Sequence, residues 1–407
     1  MTTVSRRCVF YVSGFDPKGA GYYHALYRDE GARQSSQDGW QLDVGARGRQ
    51  PSGNPAWPVK ADFSGQQVQT HYEFMRWDDV VRRHWPKTTW ALWRDVVTAT
   101  VFYLRHGAWW KMFRLSWPPA VAVFAPFLLV CAMLAGIPLV AASTAYLVGK
   151  NLGYGALGLV AGGLAGALLW ALGRKLESRY SMYWMMRSYA FTAMQARGEL
   201  PDLETRLDEL ARCLVERIQT QHDDEVMVVG HSSGAIMAAI VVARALQSSP
   251  HLLSGAPKVS LLTLGQWIPL LGLLPMAQRF RQELQTISEA EGLTWIDFSA
   301  PPDGCCFALT DPLKACGVAI PQPPGVDLKL LNPRFASLFD AATYAKLKRN
   351  KFLMHFQYLH AVKMQGGFNY FEMTAGPLSL KARFAAAASV NDYAGLRPFG
   401  TESKKPL

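Results

Sequence analysis

The residues with the clearest chemical potential form the pentapeptide Gly230-His231-Ser232-Ser233-Gly234, which has the pattern G-x-S-x-G. The apolar run 225–229 before it predicts a buried strand, and residues 235–246 after it predict a helix. A serine in a sharp turn from strand to helix is strained, and the flanking glycines leave room for the nearby backbone. Such a turn presents the serine hydroxyl as a nucleophile. The plainer interpretation is that the glycines only allow a helix to pack closely on a strand.

A serine hydroxyl is a weak nucleophile at neutral pH, so it needs a histidine as base and a carboxylate that orients the histidine. Enzymes built on this turn place both groups after the serine in the chain. The histidines there are His251, His355 and His360. His251 directly follows the predicted helix and would lie at its far end. His355 comes after the last predicted strand and is the preferred base, His360 is the alternative, and an ordinary core or surface role stays open for each.

Three aspartates, Asp297, Asp303 and Asp311, end or follow the predicted strand 293–298. Asp297 belongs to the strand itself, and Asp311 precedes a proline, where it can start a turn. Asp303 lies in the loop just beyond the carboxyl end of the strand, where a residue that orients the base belongs. We therefore predict Asp303 as the acid, with the other two as alternatives.

The negative oxygen that forms when a serine attacks a carbonyl needs two preorganised N–H donors. The backbone N–H of Ser233 is the first candidate. The second is expected in the loop after the early predicted strand 8–12, at Gly14 and Phe15. A glycine in that loop is equally compatible with ordinary turn chemistry.

Together these residues resemble the α/β-hydrolase superfamily, in particular its lipase- and esterase-like members, whose nucleophile turn is often G-H-S-x-G. The segments Ala300-Pro301-Pro302-Asp303 and His355-Phe356-Gln357-Tyr358 are similar to those of uncharacterised bacterial membrane-anchored hydrolases. The resemblance covers about residues 8–77 and 200–376. It departs from the usual pattern because the chain has no H-G-G-G motif and carries an inserted apolar segment.

The resemblance implies a serine hydrolase that cleaves an ester of a lipid or acylated molecule through an acyl-enzyme, with no metal or organic cofactor. In that mechanism Ser232 attacks the carbonyl, His355 relays the proton, Asp303 orients His355, and the N–H groups of Ser233 and Phe15 hold the oxyanion. Two alternatives stay open. The same triad can transfer the acyl group to an alcohol or amine, or the chain can be a non-catalytic membrane scaffold on a hydrolase fold.

The segment 266–276 follows the strand predicted at 258–264 and is rich in large apolar residues. In a parallel sheet this loop emerges at the same edge as the serine turn. We expect Trp267, Leu270 and Leu273 to line a substrate pocket there, because so many apolar side chains would otherwise face water. The alternative is a buried turn of the core.

Two long segments contain no charged residue, between Arg114 and Lys150 and between Lys150 and Arg174. Residues 120–140 and 152–172 are each long enough to cross the roughly 30 Å hydrocarbon core of a bilayer as a helix. The alternative is a pair of buried helices in a large soluble core. A stripe of glycines in the second segment can pack within the hairpin or form a homo-oligomer between subunits, and the sequence leaves both open.

Basic residues flank this hairpin on both sides, while the short connection carries only Lys150. The flanking residues are Arg105, Lys111, Arg114, Arg174, Lys175, Arg179 and Arg187. By the positive-inside rule both flanks, the catalytic domain and both termini face the cytoplasm, which predicts an inner (cytoplasmic) membrane protein. The net charge of +11 fits contact with an anionic lipid bilayer. Nothing resembles a nucleic-acid module, and the six cysteines lack zinc-site spacing.

The expected fold class is α/β, a mostly parallel sheet of the α/β-hydrolase type wrapped by helices and interrupted by a two-helix transmembrane hairpin. The expected division is 1–84 and 174–376 for the two parts of the α/β domain, 85–117 for a tryptophan-rich segment, 118–173 for the hairpin and 377–407 for a loosely ordered tail. Tryptophans among basic residues predict that segment 85–117 lies in the headgroup region. An amphipathic core helix is the alternative.

Overall fold

A computed structural model of the chain describes residues 3–255, 257–391 and 393–398, without the side chains of residues 177–180. Within these residues nine strands form one sheet that is wrapped by helices. The strands are β1 (Arg6–Val12), β2 (Gln41–Val44), β3 (Gly48–Arg49), β4 (Pro55–Phe63), β5 (Gln66–Phe74), β6 (Glu225–His231), β7 (Lys258–Leu264), β8 (Thr294–Phe298) and β9 (Asp327–Leu331).

The helices before β6 are α1 (Ala20–Asp38), α2 (Asp78–Arg83), α3 (Thr89–Arg105), α4 (Ala108–Leu115), α5 (Trp117–Leu152), α6 (Gly155–Tyr180), α7 (Met182–Ala196) and α8 (Pro201–Gln219). The later helices are α9 (Gly234–Ser248), α10 (Ile268–Gly272), α11 (Gln278–Ser288), α12 (Pro312–Ala315), α13 (Ala341–Arg349), α14 (Lys351–Phe356), α15 (Tyr370–Ala375) and α16 (Leu380–Arg383). The mixed α/β class and the helix-wrapped sheet expected from the sequence are confirmed.

The sheet has the order β2-β4-β5-β1-β6-β7-β8-β9, with β3 paired to β4. Strand β4 pairs antiparallel with β2, β3 and β5. The other neighbouring pairs, β5–β1, β1–β6, β6–β7, β7–β8 and β8–β9, are parallel. The carboxyl ends of β1, β6, β7 and β8 therefore meet at one edge. In parallel sheets that edge is where ligands bind.

Local patterns explain most elements around the site. All seven residues of β6 are buried, and its centre from Val226 to Val229 is a continuous apolar run, as expected where helices cover both faces of a parallel sheet. In α8 the buried leucines Leu203, Leu207, Leu210 and Leu214 recur at helical spacing and leave a charged outer face. The predicted strand at 258–264 has the same bounds in the structure.

Residues 377–391 are hydrogen-bonded to the sheet, whereas we expected a loosely ordered tail from residue 377. The Arg7 guanidinium donates to the carbonyls of Gly376 and Leu378, and the Leu380 N–H binds Glu225. Further on, the Val390 N–H binds the Leu330 carbonyl of β9. These hydrogen bonds tie the segment to β1, β6 and β9, which composition did not reveal. Residues 392 and 399–407 lie outside the described residues.

The helices α5 and α6 are long and apolar enough to cross a membrane, and their outer residues are largely exposed. The first turns of α5 are buried at Val123, Phe124 and Val130, so its exposed apolar part is shifted toward the second half of the helix. The connection consists of residues 153–154. Lys150, which we expected in the connection, lies in the last turn of α5.

The glycine stripe of α6 faces α5 of the same chain. A β-carbon at Gly158 would meet the carbonyl of Ala145, and one at Gly162 would meet the carbonyl of Ala141. Only glycine allows the two helix backbones to approach so closely. The face that the sequence offered for homo-oligomer contacts is therefore covered within the hairpin.

The tryptophan-rich segment forms α3 and α4. One face of α3 is buried through Val96, Ala99 and Tyr103. Its other side exposes Trp90, Val97, Val101 and Leu104, and the Trp90 side chain is 79% exposed. Helix α3 therefore packs one face into the core, as in the alternative of an amphipathic core helix. Its opposite face is apolar and exposed.

Candidate active site

The strand β6 ends in the sharp turn that the pentapeptide predicted. Ser232 has a φ of 59°, in the left-handed region that non-glycine residues rarely adopt. Gly230 is required by close approach, because a β-carbon there would lie 2.6 Å from the Cα of Ala235 in α9. The close packing of α9 on β6, which was the plainer interpretation of the glycines, is therefore present. The strained backbone of Ser232 is a separate feature that this packing does not require.

The predicted acid and base lie in contact. His355, in α14, has its Nδ1 2.8 Å from Oδ2 of Asp303 in the loop after β8. The same carboxylate accepts the Cys305 N–H at Oδ1 over 2.9 Å and the Tyr358 hydroxyl at Oδ2 over 3.1 Å. Burial alone would raise the pKa of Asp303, but the net shift is downward because His355 stabilises the charged form. Asp303 is therefore placed to keep His355 in the tautomer whose Nε2 can accept a proton.

Ser232 and His355 line the same cavity. In the part of the chain that the structure describes, no hydrogen bond joins the Ser232 hydroxyl to the imidazole. The Ser232 backbone is fixed by its N–H, which binds the carbonyl of Leu264 at the end of β7 over 2.9 Å.

The alternative acids and bases lie elsewhere. Asp297 accepts hydrogen bonds from Thr263 and Ser299, and burial raises its pKa to about 7. Asp311 caps the N-terminus of α12. His360 has its Nδ1 3.5 Å from a Glu30 oxygen, and His251 lies in the turn after α9, at the end away from Ser232. Of the three acids and three histidines considered, the structure brings together Asp303 and His355.

His231, inside the pentapeptide, also contacts the site. Its Nε2 lies 2.9 Å from the carbonyl oxygen of His355. Burial and the neighbouring His355 lower the pKa of His231 to about 3, so the ring is neutral at pH 7. Because a carbonyl only accepts, Nε2 carries the proton. The sequence analysis assigned no role to His231. Its position next to Ser232 in the pentapeptide is the only sequence feature that indicates its place at the site.

The predicted oxyanion residues lie around the serine, in an arrangement that differs from expectation. A β-carbon at Gly14 would lie 3.5 Å from the Ser232 hydroxyl oxygen, so the loop after β1 reaches the Ser232 side chain. The Phe15 N–H, which we expected to face a substrate oxygen, donates to the Ser233 hydroxyl over 2.7 Å. On the other side the Phe15 carbonyl accepts the indole N–H of Trp184 in α7. The Phe15 peptide is therefore held from both sides.

One cavity is lined by both the serine and the imidazole. Trp267 and Leu270 line it as predicted, whereas Leu273 is not among the lining residues and packs against the core. The buried helix α10 contains Leu270, and Trp267 and Leu273 directly precede and follow it, so the segment both lines the cavity and forms a buried turn of the core. Apolar lining also comes from Val123 of α5 and Met185 of α7.

Among residues 3–255, 257–391 and 393–398 no group of three or more histidine, cysteine or acidic side chains is placed to hold a metal ion. Cys305 lines the cavity, and burial raises the pKa of its thiol, which keeps it protonated.

No protein-family model, curated protein or solved structure matches this chain.

Proposed function

We propose that the protein is a membrane-anchored serine hydrolase of the α/β-hydrolase type that cleaves an ester of a lipid or acylated molecule. One observation carries the proposal. Ser232, strained at a φ of 59° in a turn from strand to helix, shares a cavity with His355, whose Nδ1 is 2.8 Å from buried Asp303. A strained serine beside an oriented histidine is the arrangement that activates a hydroxyl for nucleophilic attack.

In the proposed reaction the Ser232 oxygen attacks the ester carbonyl while His355 Nε2 takes the hydroxyl proton. The carbonyl electron pair moves onto oxygen, and the tetrahedral intermediate collapses to an acyl-enzyme. The departing alkoxide takes the proton from His355 and leaves as an alcohol. Water then attacks the acyl-enzyme while His355 takes its proton, and the bond between the acyl carbon and the Ser232 oxygen breaks as that oxygen receives the proton from His355, which releases the acid and restores Ser232. Asp303 stays ionised and stabilises the imidazolium.

The lining of the cavity supports a substrate with an acyl chain. Trp267, Leu270, Met185 and Val123 form an apolar wall next to the serine. Val123 belongs to α5, and the same helix continues into exposed apolar residues such as Leu139. An acyl chain would gain about 0.8 kcal/mol for each methylene buried in such a wall.

The proposed anchor is the α5–α6 hairpin in a bilayer, with the exposed apolar side of α3 at its surface. The basic flanks of the hairpin favour a cytoplasmic catalytic domain. Reporter fusions before α5, after α6 and in the connection at residues 153–154 test this orientation. A flank that reports from the opposite side of the membrane would contradict it.

A fluorophosphonate probe tests the proposed nucleophile. We expect the full-length protein in detergent to be labelled and Ser232→Ala to lose both labelling and ester turnover. Ser64→Ala is a matched control, because Ser64 also has a positive φ of 56° but lies exposed in the turn between β4 and β5. Labelling that persists in Ser232→Ala, or disappears in Ser64→Ala, would contradict the assignment.

A further inference from the structure

The side chain of Ser233 binds the backbone N–H that we expected as the second oxyanion donor. The Ser233 backbone N–H is the first expected donor, and its side-chain oxygen accepts the N–H of Phe15, the second expected donor, over 2.7 Å. The Trp184 indole holds the carbonyl of the same residue. The Phe15 N–H therefore reaches a substrate oxygen only if its hydrogen bond to the Ser233 hydroxyl breaks.

A hydroxyl that accepts a hydrogen bond still has one proton to donate. Ser233 lines the cavity beside Ser232, and its side chain is otherwise buried. Within the described residues the Ser233 hydroxyl donates to no protein acceptor. A donor bonded to the hydroxyl oxygen also polarises the O–H group and strengthens the bond that it can give. The Ser233 proton is thus available to a ligand in the cavity.

We infer that the Ser233 hydroxyl is itself an oxyanion donor and that Phe15 acts through it, an inference that rests on the proposed hydrolase function. As Ser232 attacks and the carbonyl pair moves onto oxygen, the Ser233 O–H donates a hydrogen bond to that oxygen beside the Ser233 N–H. No proton is transferred in this contact. When the intermediate collapses, the electron pair returns to the carbonyl and the contact weakens. The residue after the nucleophile thus supplies two donors from one position.

Two substitutions separate this arrangement from direct donation by Phe15. Ser233→Ala removes the hydroxyl and frees the Phe15 N–H, while Ser233→Cys keeps the shape but replaces the hydroxyl with a weak donor. With p-nitrophenyl butyrate as substrate, we expect kcat to fall about 100-fold or more in Ser233→Ala, with KM changed less than about threefold. Ser233→Cys should also lose kcat. Inhibition by a trifluoromethyl ketone, which forms a charged tetrahedral adduct on serine, should weaken in parallel.

The outcomes are distinct. If Ser233→Ala keeps or exceeds wild-type kcat, the freed Phe15 N–H is the donor and the inference is wrong. The same holds if kcat falls only in proportion to the folded fraction measured by thermal melting. If the wild-type protein shows neither fluorophosphonate labelling nor turnover that depends on Ser232, the proposed function fails, and the inference fails with it. Ser232-dependent turnover together with an active Ser233→Ala variant would reject the inference alone.

Discussion

His231 donates its Nε2–H to the carbonyl oxygen of His355 across 2.9 Å, so the residue before the candidate nucleophile holds the backbone of the candidate base. The two rings lie 5.0 Å apart between centroids. The serine turn and the α14 region, distant in sequence, are thereby joined by a hydrogen bond inside a buried environment. Such a hydrogen bond typically contributes about 1 kcal/mol to the free energy of unfolding.

The first prediction concerns stability at low pH. His231 has a pKa near 3 in the folded protein, against an ordinary value of 6.5, because it is buried next to His355. Below pH 6.5 the unfolded chain therefore binds a proton that the folded protein does not, and stability falls as the pH drops toward 3. We expect His231→Phe to show a smaller loss of melting temperature between pH 7 and pH 4 than wild type. An identical pH dependence in both proteins would contradict this role.

The second prediction separates the histidines. His355→Ala should lower kcat by about 1,000-fold or more, because in the proposed mechanism Ser232 then has no base. His360→Ala is the matched control, since His360 pairs with Glu30 instead of Asp303. We expect it to retain kcat within about threefold in the same esterase assay. If His360→Ala is the damaging change, the base is misassigned although a serine mechanism still holds.

The third prediction separates the acids. Asp303→Asn should lower kcat by roughly 1,000- to 10,000-fold, because an amide cannot orient and stabilise the imidazolium as a carboxylate does. Asp297→Asn should cost less than about tenfold, since Asp297 contacts Thr263 and Ser299 and has a pKa raised by burial to about 7. Steady-state kinetics of both variants, with melting curves as a check on folding, provide the comparison. Equal losses would mean that neither carboxylate acts on His355 specifically.

The fourth prediction uses two leucines of one segment. Leu270 lines the cavity, whereas Leu273 packs against the core outside it. Leu270→Ser should lower kcat/KM for a long-chain ester about tenfold more than for a short soluble ester, because only the long chain uses the apolar wall. Leu273→Ser should lower both values equally. The ratio of kcat/KM for the long-chain ester to kcat/KM for the short ester does not depend on the amount of folded enzyme. If this ratio is unchanged in Leu270→Ser, Leu270 is not a substrate contact.

Features encoded by local pattern could be predicted from the sequence. The apolar run before Ser232 specified β6 because a strand covered on both faces contains continuous apolar residues. The uncharged segments specified α5 and α6 as helices long and apolar enough to cross a membrane, because length and composition suffice for that. The helices α5 (Trp117–Leu152) and α6 (Gly155–Tyr180) are longer than the predicted spans 120–140 and 152–172, because the thickness of a bilayer sets only a minimum length for a helix that crosses it.

Contacts between distant loops were decided only by the tertiary structure. Asp303 and His355 are 52 positions apart, and three aspartates and three histidines had compatible places in the chain. Phe15 and Ser233 are 218 positions apart, and nothing in either segment indicates that the N–H of one meets the hydroxyl of the other. The sequence determined which residues stand at the carboxyl ends of the strands. Which of their atoms meet depends on strand order and on the course of each loop, because hydrogen bonds form only over about 3 Å.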